Sequence, residues 1–462
     1  MPYEGEFAHY KPLQRIADSE QVRALLARTR VTTTARPAIP PTVVRTADLE
    51  QSDWTPDWVL AVDGSYSEVI VKNGYPAAAV GYVTVASVML DLAALRELDA
   101  DRPMDPQKFL ALEDVESIDG ALPGSNVVID NALTPEESFR RALFELFEGR
   151  SMAEDGETLL DTYEALLVLK PPQTVNPQLC PYGEDCLHKQ QAYNRGQGEY
   201  TCTCIGARAL FSTDALRIHE FLQPAGSNQS AFTETMSVLE RIWIVHILRT
   251  LEKKGFLTSL ERLAIIVDGP LAVFGAPAWL SGAIATELER INRAARRAIG
   301  DESFNLLLIG VEKTGPFVEH LEDLDKGPNG ETDALPHQSA VLLTDSYIKR
   351  HIVFSESDRD YGRNTYFGRK LFCKTSMGSL IVLNDVSLNK ADRQIKTADV
   401  SQFPRLADIM NLMDKLASVK YRNSVSTLIS AHAEASIPLH LGTRVLEALA
   451  RKMMRQPSGK VP

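Results

Sequence analysis

The chain has 462 residues, of which 44% are hydrophobic and 24% charged, and this balance excludes an intrinsically disordered protein. Acidic residues outnumber basic ones by 61 to 49, giving a net charge of −12. That charge argues against a protein that binds DNA tightly on its own, because phosphate contacts need local Lys and Arg. It leaves room for a local basic channel, or for a partner that delivers the nucleic acid.

The sequence predicts a cytoplasmic protein without a membrane segment. Apolar runs such as RIWIVHIL and LAIIV are much shorter than the ~18 residues of a membrane span. The first residues show no basic-then-apolar secretory pattern. Five cysteines, an odd number in a long chain, favour a reducing compartment.

Five segments are predicted in chain order. Residues 1–55 form an N-terminal arm, with one short helix at SEQVRALLARTR and a linker rich in Pro and Thr. Residues 56–95 and 231–330 carry the strands and helices of an α/β core, which residues 331–462 complete. Residues 96–230 contain two helical patterns and a cysteine-containing loop, and are predicted to be an insertion into this core.

Two strands of the predicted core carry the same local pattern. In VLAVDGS, Asp63 follows an apolar run and precedes a glycine, and in AIIVDGPL, Asp268 does the same. Asp-Gly alone is typical of a turn, so a hairpin corner is enough to explain Asp63 by itself. If the strands are parallel neighbours, the two carboxylates lie side by side and repel each other unless a cation neutralises them. Oxygen ligands favour Mg²⁺ or Mn²⁺ over zinc, so the pair predicts a divalent metal site.

A third carboxylate is expected from the long helix that ends before Gly255. Glu240 is the first candidate, because it shares an apolar helix face with Met236 and Trp243, where an unpaired carboxylate would be costly. Glu234 is the alternative, although it falls in the first turn of the helix, where an acid complements the helix dipole. The pattern also allows neither glutamate to be a ligand.

The combination of AVDGS, a helical glutamate, IIVDGPL and a late SAHAEAS resembles the NurA nucleases, the partners of the HerA hexameric ATPase. The resemblance implies an α/β fold with a ribonuclease-H-like mixed sheet flanked by helices, here with a large helical and cysteine-rich insertion. It also implies a homodimer. By resemblance, Asp63, Glu240 and Asp268 are the Mn²⁺ or Mg²⁺ ligands and His432 is a catalytic histidine. Without the resemblance, His432 is more simply explained as a helix-surface or core histidine.

The predicted function is therefore a metal-dependent deoxyribonuclease, an exonuclease or single-strand endonuclease. By resemblance, it acts with a HerA-type ATPase in DNA end processing or phage defence. The alternative is a catalytically inactive, nuclease-like scaffold that docks on the ATPase and regulates it. A metal phosphohydrolase acting on a small substrate is a third interpretation.

Several basic and aromatic residues are predicted to contact DNA. Lys313 follows the strand LLLIGVE and is placed to meet a phosphate, although a solvated turn lysine is the simpler explanation. The segment YGRNTYFGRKLFCK interleaves Arg363, Arg369 and Lys374 with Tyr366, a pattern that suits single-strand binding by phosphate contact and base stacking. An exposed, charged hairpin explains the same letters.

Four of the five cysteines cluster, as C-x5-C followed by C-x-C: Cys180, Cys186, Cys202 and Cys204. This spacing is not that of a standard zinc ribbon, whose pairs read C-x2-C. Four soft ligands within one polar loop nevertheless predict a structural zinc site, since a small loop needs a cross-link. Unligated thiols are the alternative.

Overall fold

The computed structural model describes residues 10–29, 42–71, 77–92, 113–130, 132, 134–149, 156–171, 180–183, 186, 198–202, 208–326, 333–417, 425–436 and 446. The chain divides into two units, residues 1–39 and 40–462. In the first unit, the described residues form helices α1 (Lys11–Asp18) and α2 (Glu20–Arg28). The Ser19 hydroxyl caps α2 by accepting a hydrogen bond from the Val22 amide, which confirms the helix predicted at SEQVRALLARTR.

The second unit is built on a nine-stranded sheet, with a separate two-stranded sheet formed by β5 and β6. The strands are β1 (Val43–Arg45), β2 (Trp58–Ile70), β3 (Ala79–Asp91), β4 (Glu113–Pro123), β5 (Glu199–Thr201), β6 (Ala209–Phe211), β7 (Leu263–Asp268), β8 (Leu307–Glu312), β9 (Ser339–Leu342), β10 (Gly368–Lys374) and β11 (Leu380–Val386).

Helices flank this sheet. They are α3 (Pro135–Glu148), α4 (Leu159–Val168), α5 (Gln229–Lys253), α6 (Trp279–Ile299), α7 (Pro316–Asp325), α8 (Asp345–His351), α9 (Leu406–Leu416) and α10 (Ser426–Ala435). Within the described ranges, none of the helices has the length and apolar character needed to cross a membrane.

The strand order of the large sheet is β1-β9-β10-β11-β8-β7-β2-β3-β4. Strands β2, β7 and β8 run parallel to one another, and the other neighbouring pairs are antiparallel. The run β4-β3-β2-β7-β8 therefore joins an antiparallel meander to two parallel strands, and the predicted α/β fold with a ribonuclease-H-like mixed sheet is confirmed.

Two elements lie outside the segments predicted for the core. Strand β1 falls in the predicted arm but pairs with β9, so the structure divides the chain at residue 39 rather than at residue 55. Strand β4 falls in the predicted insertion 96–230, yet it pairs with β3 along its whole length and forms one edge of the sheet. Part of the predicted insertion, residues 113–123, therefore belongs to the sheet.

Strand β2 separates two apolar cores. Its side chains Leu60 and Val62 belong to the core that contains α5 and α6, whereas Val59 and Ala61 belong to the core that contains α9 and α10. This alternation is the two-residue period of a strand buried on both faces. Helices α5 and α10 therefore approach β2 from opposite sides.

The prediction of a turn at Asp63-Gly64 is wrong. Strand β2 continues through these residues to Ile70, with Asp63 paired to Ala86 and Gly64 to Val85 of β3. The antiparallel neighbour supplies main-chain hydrogen bonds along the full strand, and this long-range pairing outweighs the local turn preference of Asp-Gly. The second Asp-Gly does end its strand, since β7 stops at Asp268 and Gly269 has a φ of +76°.

Candidate active site

The parallel pairing of β2 and β7 brings the two aspartates to neighbouring positions. Val62 is aligned with Val267, so Asp63 and Asp268 are the next residues on adjacent strands. Asp63 is almost fully buried, and the Asp268 side chain is 30% exposed at the end of β7. The predicted juxtaposition is present, and the role of the pair in metal binding stays a prediction.

Helix α5 places Glu240, rather than Glu234, beside this pair. Glu240 is buried, and burial raises its pKa to about 8, with the charges of Asp63 and Asp268 adding to the rise. Glu234 is half-buried near Gly275, and burial alone raises its pKa. The two aspartates therefore act electrostatically on Glu240 and not on the alternative.

Gly64 allows the close approach of Glu240 to β2. A Cβ at position 64 would lie 2.6 Å from Glu240 Oε1 and 2.9 Å from Met236 Cγ. The carboxylate therefore packs against strand backbone, at the residue that follows Asp63. Sequence reasoning missed this role by treating Gly64 as a turn residue, although the strand-like YSEVIV after it was a signal that β2 continues.

We expect Gly64→Ala to keep the fold but to displace the Glu240 carboxylate, reducing DNA cleavage by about 10–100-fold, because small misplacements of catalytic groups are costly. Cleavage rates and thermal unfolding of the purified variant test this. Gly282→Ala is the matched control, since a Cβ there meets no atom within 4 Å. A Gly64→Ala protein as active as the Gly282→Ala protein would show that the close approach is unimportant.

Each carboxylate of the site has one basic partner. The pairs are Asp63 Oδ2 with His432 Nδ1 at 2.9 Å, Glu240 Oε2 with an Arg241 nitrogen at 3.0 Å, and Asp268 Oδ1 with Lys313 Nζ at 2.8 Å. Among the described residues, three ligating atoms lie within 4.8 Å of one another only at a cysteine cluster elsewhere. The carboxylates thus face their basic partners rather than one common centre.

Two of these basic residues were predicted for the site. His432 lies on α10, with 59% of its side chain exposed, and it reaches Asp63 from the face opposite α5. Lys313 follows β8 and is paired with Asp268 rather than pointing into solvent alone. Burial, and then the charge of Asp268, raise the pKa of Asp63, while Lys313 and His432 oppose the rise.

Arg241 was not predicted, and it ties the helix to the end of β7. One of its guanidinium nitrogens donates to Glu240 and the other donates to the carbonyl oxygen of Asp268 at 3.1 Å. The Arg241 side chain is buried. In the sequence, the signal for its role was its position directly after Glu240.

The donor set fits a hard divalent cation. Burial and the charges of Asp63 and Asp268 raise the pKa of Glu240, and burial and the charge of Asp268 raise the pKa of Asp63. A cation would relieve this repulsion and would favour the ionised forms. Oxygen ligands of this type suit Mn²⁺ or Mg²⁺.

Two of the predicted DNA contacts are wrong. Arg369 and Lys374 lie on β10, in the interior of the sheet, and both are buried. The Arg369 guanidinium donates to four backbone carbonyls, those of Leu343, Asp392, Gln394 and Thr397. The Lys374 ammonium donates to the side chains of Asp325 and Asp333 and to the carbonyl of Leu335. Both side chains are buried and hydrogen-bonded within the protein, so neither is expected to contact DNA.

Arg363 and Tyr366 remain candidates for DNA contact. Arg363 is exposed, and Tyr366 is half-buried with its hydroxyl 3.2 Å from that of Tyr361. All three residues line a cavity of about 400 Å³. The contact with DNA itself stays a prediction.

We expect Lys374→Ala to lower the free energy of unfolding by about 2–4 kcal/mol, because it removes one partner of a buried ion pair. Arg363→Ala should change it by less than about 0.5 kcal/mol, as is usual for surface positions. Urea denaturation of both variants and the wild type measures the difference. Equal stability of the two variants would contradict the structural role of Lys374.

Three of the four predicted zinc ligands come together. The sulfur atoms of Cys180, Cys186 and Cys202 lie within 4.8 Å of one another, and all three residues are buried. Cys204 lies outside the described residues.

Comparison with known proteins gives matches in structure alone. No protein-family model matches the chain, and no curated protein matches its sequence. Three solved structures similar to it are structures of NurA proteins. The NurA nuclease from Sulfolobus solfataricus is 9% identical, with 98% of both chains covered and a TM-score of 0.33.

Two further NurA structures are similar to this chain over nearly its whole length. One NurA structure is 11% identical, covering 96% of this chain and 95% of that one, with a TM-score of 0.28. A NurA structure with manganese is 10% identical, covering 96% of both chains, with a TM-score of 0.22.

Proposed function

We propose that this chain is a metal-dependent deoxyribonuclease that hydrolyses phosphodiester bonds. One observation carries the proposal: strands β2 and β7 set Asp63 and Asp268 side by side, and α5 places Glu240 close enough for both aspartates to raise its pKa. Such a set of carboxylates is costly in a folded protein unless positive charge offsets it, and a bound metal ion would add to the charge that the three basic partners supply. The cation would be Mn²⁺ or Mg²⁺.

In this mechanism Asp63 and Asp268 would hold the metal from the sheet, and Glu240 would hold it from α5. When bound, the metal supplies an activated water and stabilises charge on the phosphate and the leaving oxygen. Lys313 exchanges its pairing with Asp268 for a contact with a phosphate oxygen. Gly64 keeps Glu240 in position, and Arg241 fixes the helix against the end of β7.

His432 is suited to move a proton near the leaving oxygen. If its Nδ1–H donates to Asp63, the neutral ring presents Nε2 as the basic nitrogen. The exposure of His432 suits a group that meets the nucleic acid directly. Its hydrogen bond to Asp63 couples proton transfer to the same carboxylate that holds the metal.

The proposed partners follow from the sequence resemblance. They are DNA, a HerA-type hexameric ATPase and a second copy of this chain, in DNA end processing or phage defence. A net charge of −12 suits a subunit that receives DNA from a motor better than one that captures DNA alone.

Cleavage of linear and single-stranded DNA by the purified full chain tests the proposal. We expect cleavage with Mn²⁺, none with EDTA, and none from Asp63→Ala or Asp268→Ala. No cleavage by the wild type, with or without a HerA-type ATPase, would reject the nuclease. A wild type that is inactive but binds the ATPase would instead support the scaffold alternative.

A further inference from the structure

The cysteine cluster joins two segments of the chain that are distant in sequence. Cys180 and Cys186 belong to one short turn, in which the amide of Gly183 donates to the carbonyl of Cys180 and the amide of Cys186 donates to that of Gly183. Cys202 follows β5, and its amide donates to the carbonyl of Arg208 before β6. Two segments distant in sequence therefore meet at three sulfur atoms.

The sulfur positions suit one metal ion. Cys202 Sγ lies 3.5 Å from Cys186 Sγ and 3.8 Å from Cys180 Sγ. Two thiolates bound at ~2.3 Å to a tetrahedral zinc ion are separated by ~3.8 Å. A disulfide requires ~2.05 Å. Each cysteine of a 4Fe–4S cluster binds a different iron atom, and at most two cysteines share an iron in a 2Fe–2S cluster, so three sulfur atoms this close suit a single ion better.

The apolar core of this region is too small to hold the two segments by itself. In the described part of the chain it consists of the three cysteines and Leu210, with Tyr182 and Tyr200 half-buried against them. Strands β5 and β6 have three residues each. Structures of this size usually depend on a metal or a disulfide.

The turn is also fastened to the rest of the protein through Tyr182. Its hydroxyl donates to the carbonyl of Ala209 at 2.7 Å, and the guanidinium of Arg140 stacks 4.9 Å from its ring. Arg140 lies on α3 and makes two hydrogen bonds to the buried Asp214. Because α3 packs on β4, the cluster is linked to the edge of the large sheet.

We propose that the thiolates of Cys180, Cys186 and Cys202 bind one Zn²⁺ ion that fastens the 180–186 turn to the β5–β6 hairpin. Binding replaces three thiol protons, and a fourth ligand completes the tetrahedron. The role is structural and independent of the carboxylate site.

Zinc content of the full-length protein, measured by mass spectrometry after purification without a metal-affinity step, tests the proposal. We expect about one zinc ion per wild-type chain and a loss of at least about 90% in Cys202→Ala. Cys373→Ala is the matched control, because Cys373 is an equally buried cysteine on β10, next to Met410. Zinc-free wild type, or full zinc in Cys202→Ala, would overturn the site.

A second measurement does not depend on a folded variant. Wild-type protein stripped of zinc and loaded with Co²⁺ should show thiolate-to-cobalt charge-transfer absorption and the intense bands of tetrahedral cobalt. Hydrogen exchange of the same zinc-free protein should speed up at the Gly183 and Cys202 amides and stay unchanged in β7. Absence of the cobalt–thiolate absorption, or unchanged exchange at both amides, would also reject the proposal.

Discussion

Replacing Asp63 with Asn should reduce the rate of DNA cleavage by about 10²–10³-fold or more, the range seen when one electrostatic catalytic group is removed. The residue has two functions in the proposed site. Its carboxylate would hold the metal beside Asp268, and its Oδ2 atom is hydrogen-bonded to His432. Asn keeps the size of the side chain but removes the negative charge, so both functions are impaired while β2 keeps its pairing.

Asp385→Asn is the control for this experiment. Asp385 is another fully buried aspartate of the same sheet, on β11, and burial raises its pKa to about 7. Neutralising it removes a buried charge without touching the carboxylate site, so cleavage should be retained. Equal loss of activity in both variants, measured in single-turnover assays with labelled DNA, would mean that general damage to the sheet explains the Asp63 result.

Glu240→Gln should abolish cleavage and at the same time stabilise the metal-free protein at alkaline pH. The pKa of Glu240 is about 8 in the folded protein and 4.5 as a reference value. Between these values the folded state keeps a proton that the unfolded state has released, so the stability of the wild type falls as the pH rises from about 4.5 to about 8. Glutamine does not titrate in this range, so the stability of the variant does not fall with pH for this reason.

The stability of Glu240→Gln relative to the wild type should therefore increase by about 1–3 kcal/mol between pH 5 and pH 8. Urea denaturation in EDTA at both values measures it. The Gln oxygen still accepts the hydrogen bond of Arg241, so the variant should not lose the contact that holds the helix. If the free energies of unfolding of the two proteins changed with pH in the same way, the raised pKa of Glu240 would be contradicted.

The position of the aspartate pair was predictable from the sequence because it depends on strand periodicity and parallel pairing alone. Both Asp63 and Asp268 follow apolar runs of the same length, and the parallel alignment of β2 with β7 sets them side by side. Glu240 was predictable for a similar reason, since a carboxylate on an apolar helix face is buried wherever that face packs.

Long-range pairing decided the features that the sequence did not reveal. Asp63-Gly64 is a turn signal locally, but the pairing of β2 with β3 keeps it in a strand. The sequence does not distinguish a buried basic residue from an exposed one. Arg369 and Lys374 are inside the protein because β10 lies between β9 and β11. Strand β4 was not recognised in the sequence because it carries many charged residues, which an edge strand with one face open to water can accommodate.

A titration with Mn²⁺ tests the central claim most directly. Binding at the carboxylates is measured as the loss of the electron paramagnetic resonance signal of free Mn²⁺. The wild type and an Asp63→Asn/Asp268→Asn double variant are compared, with DNA cleavage assayed in the same samples. We expect the wild type to take up Mn²⁺ and to cleave DNA as uptake proceeds, and the double variant to do neither. Equal uptake by both proteins, or cleavage by the double variant at the wild-type rate, would contradict a metal-dependent nuclease site at Asp63, Glu240 and Asp268.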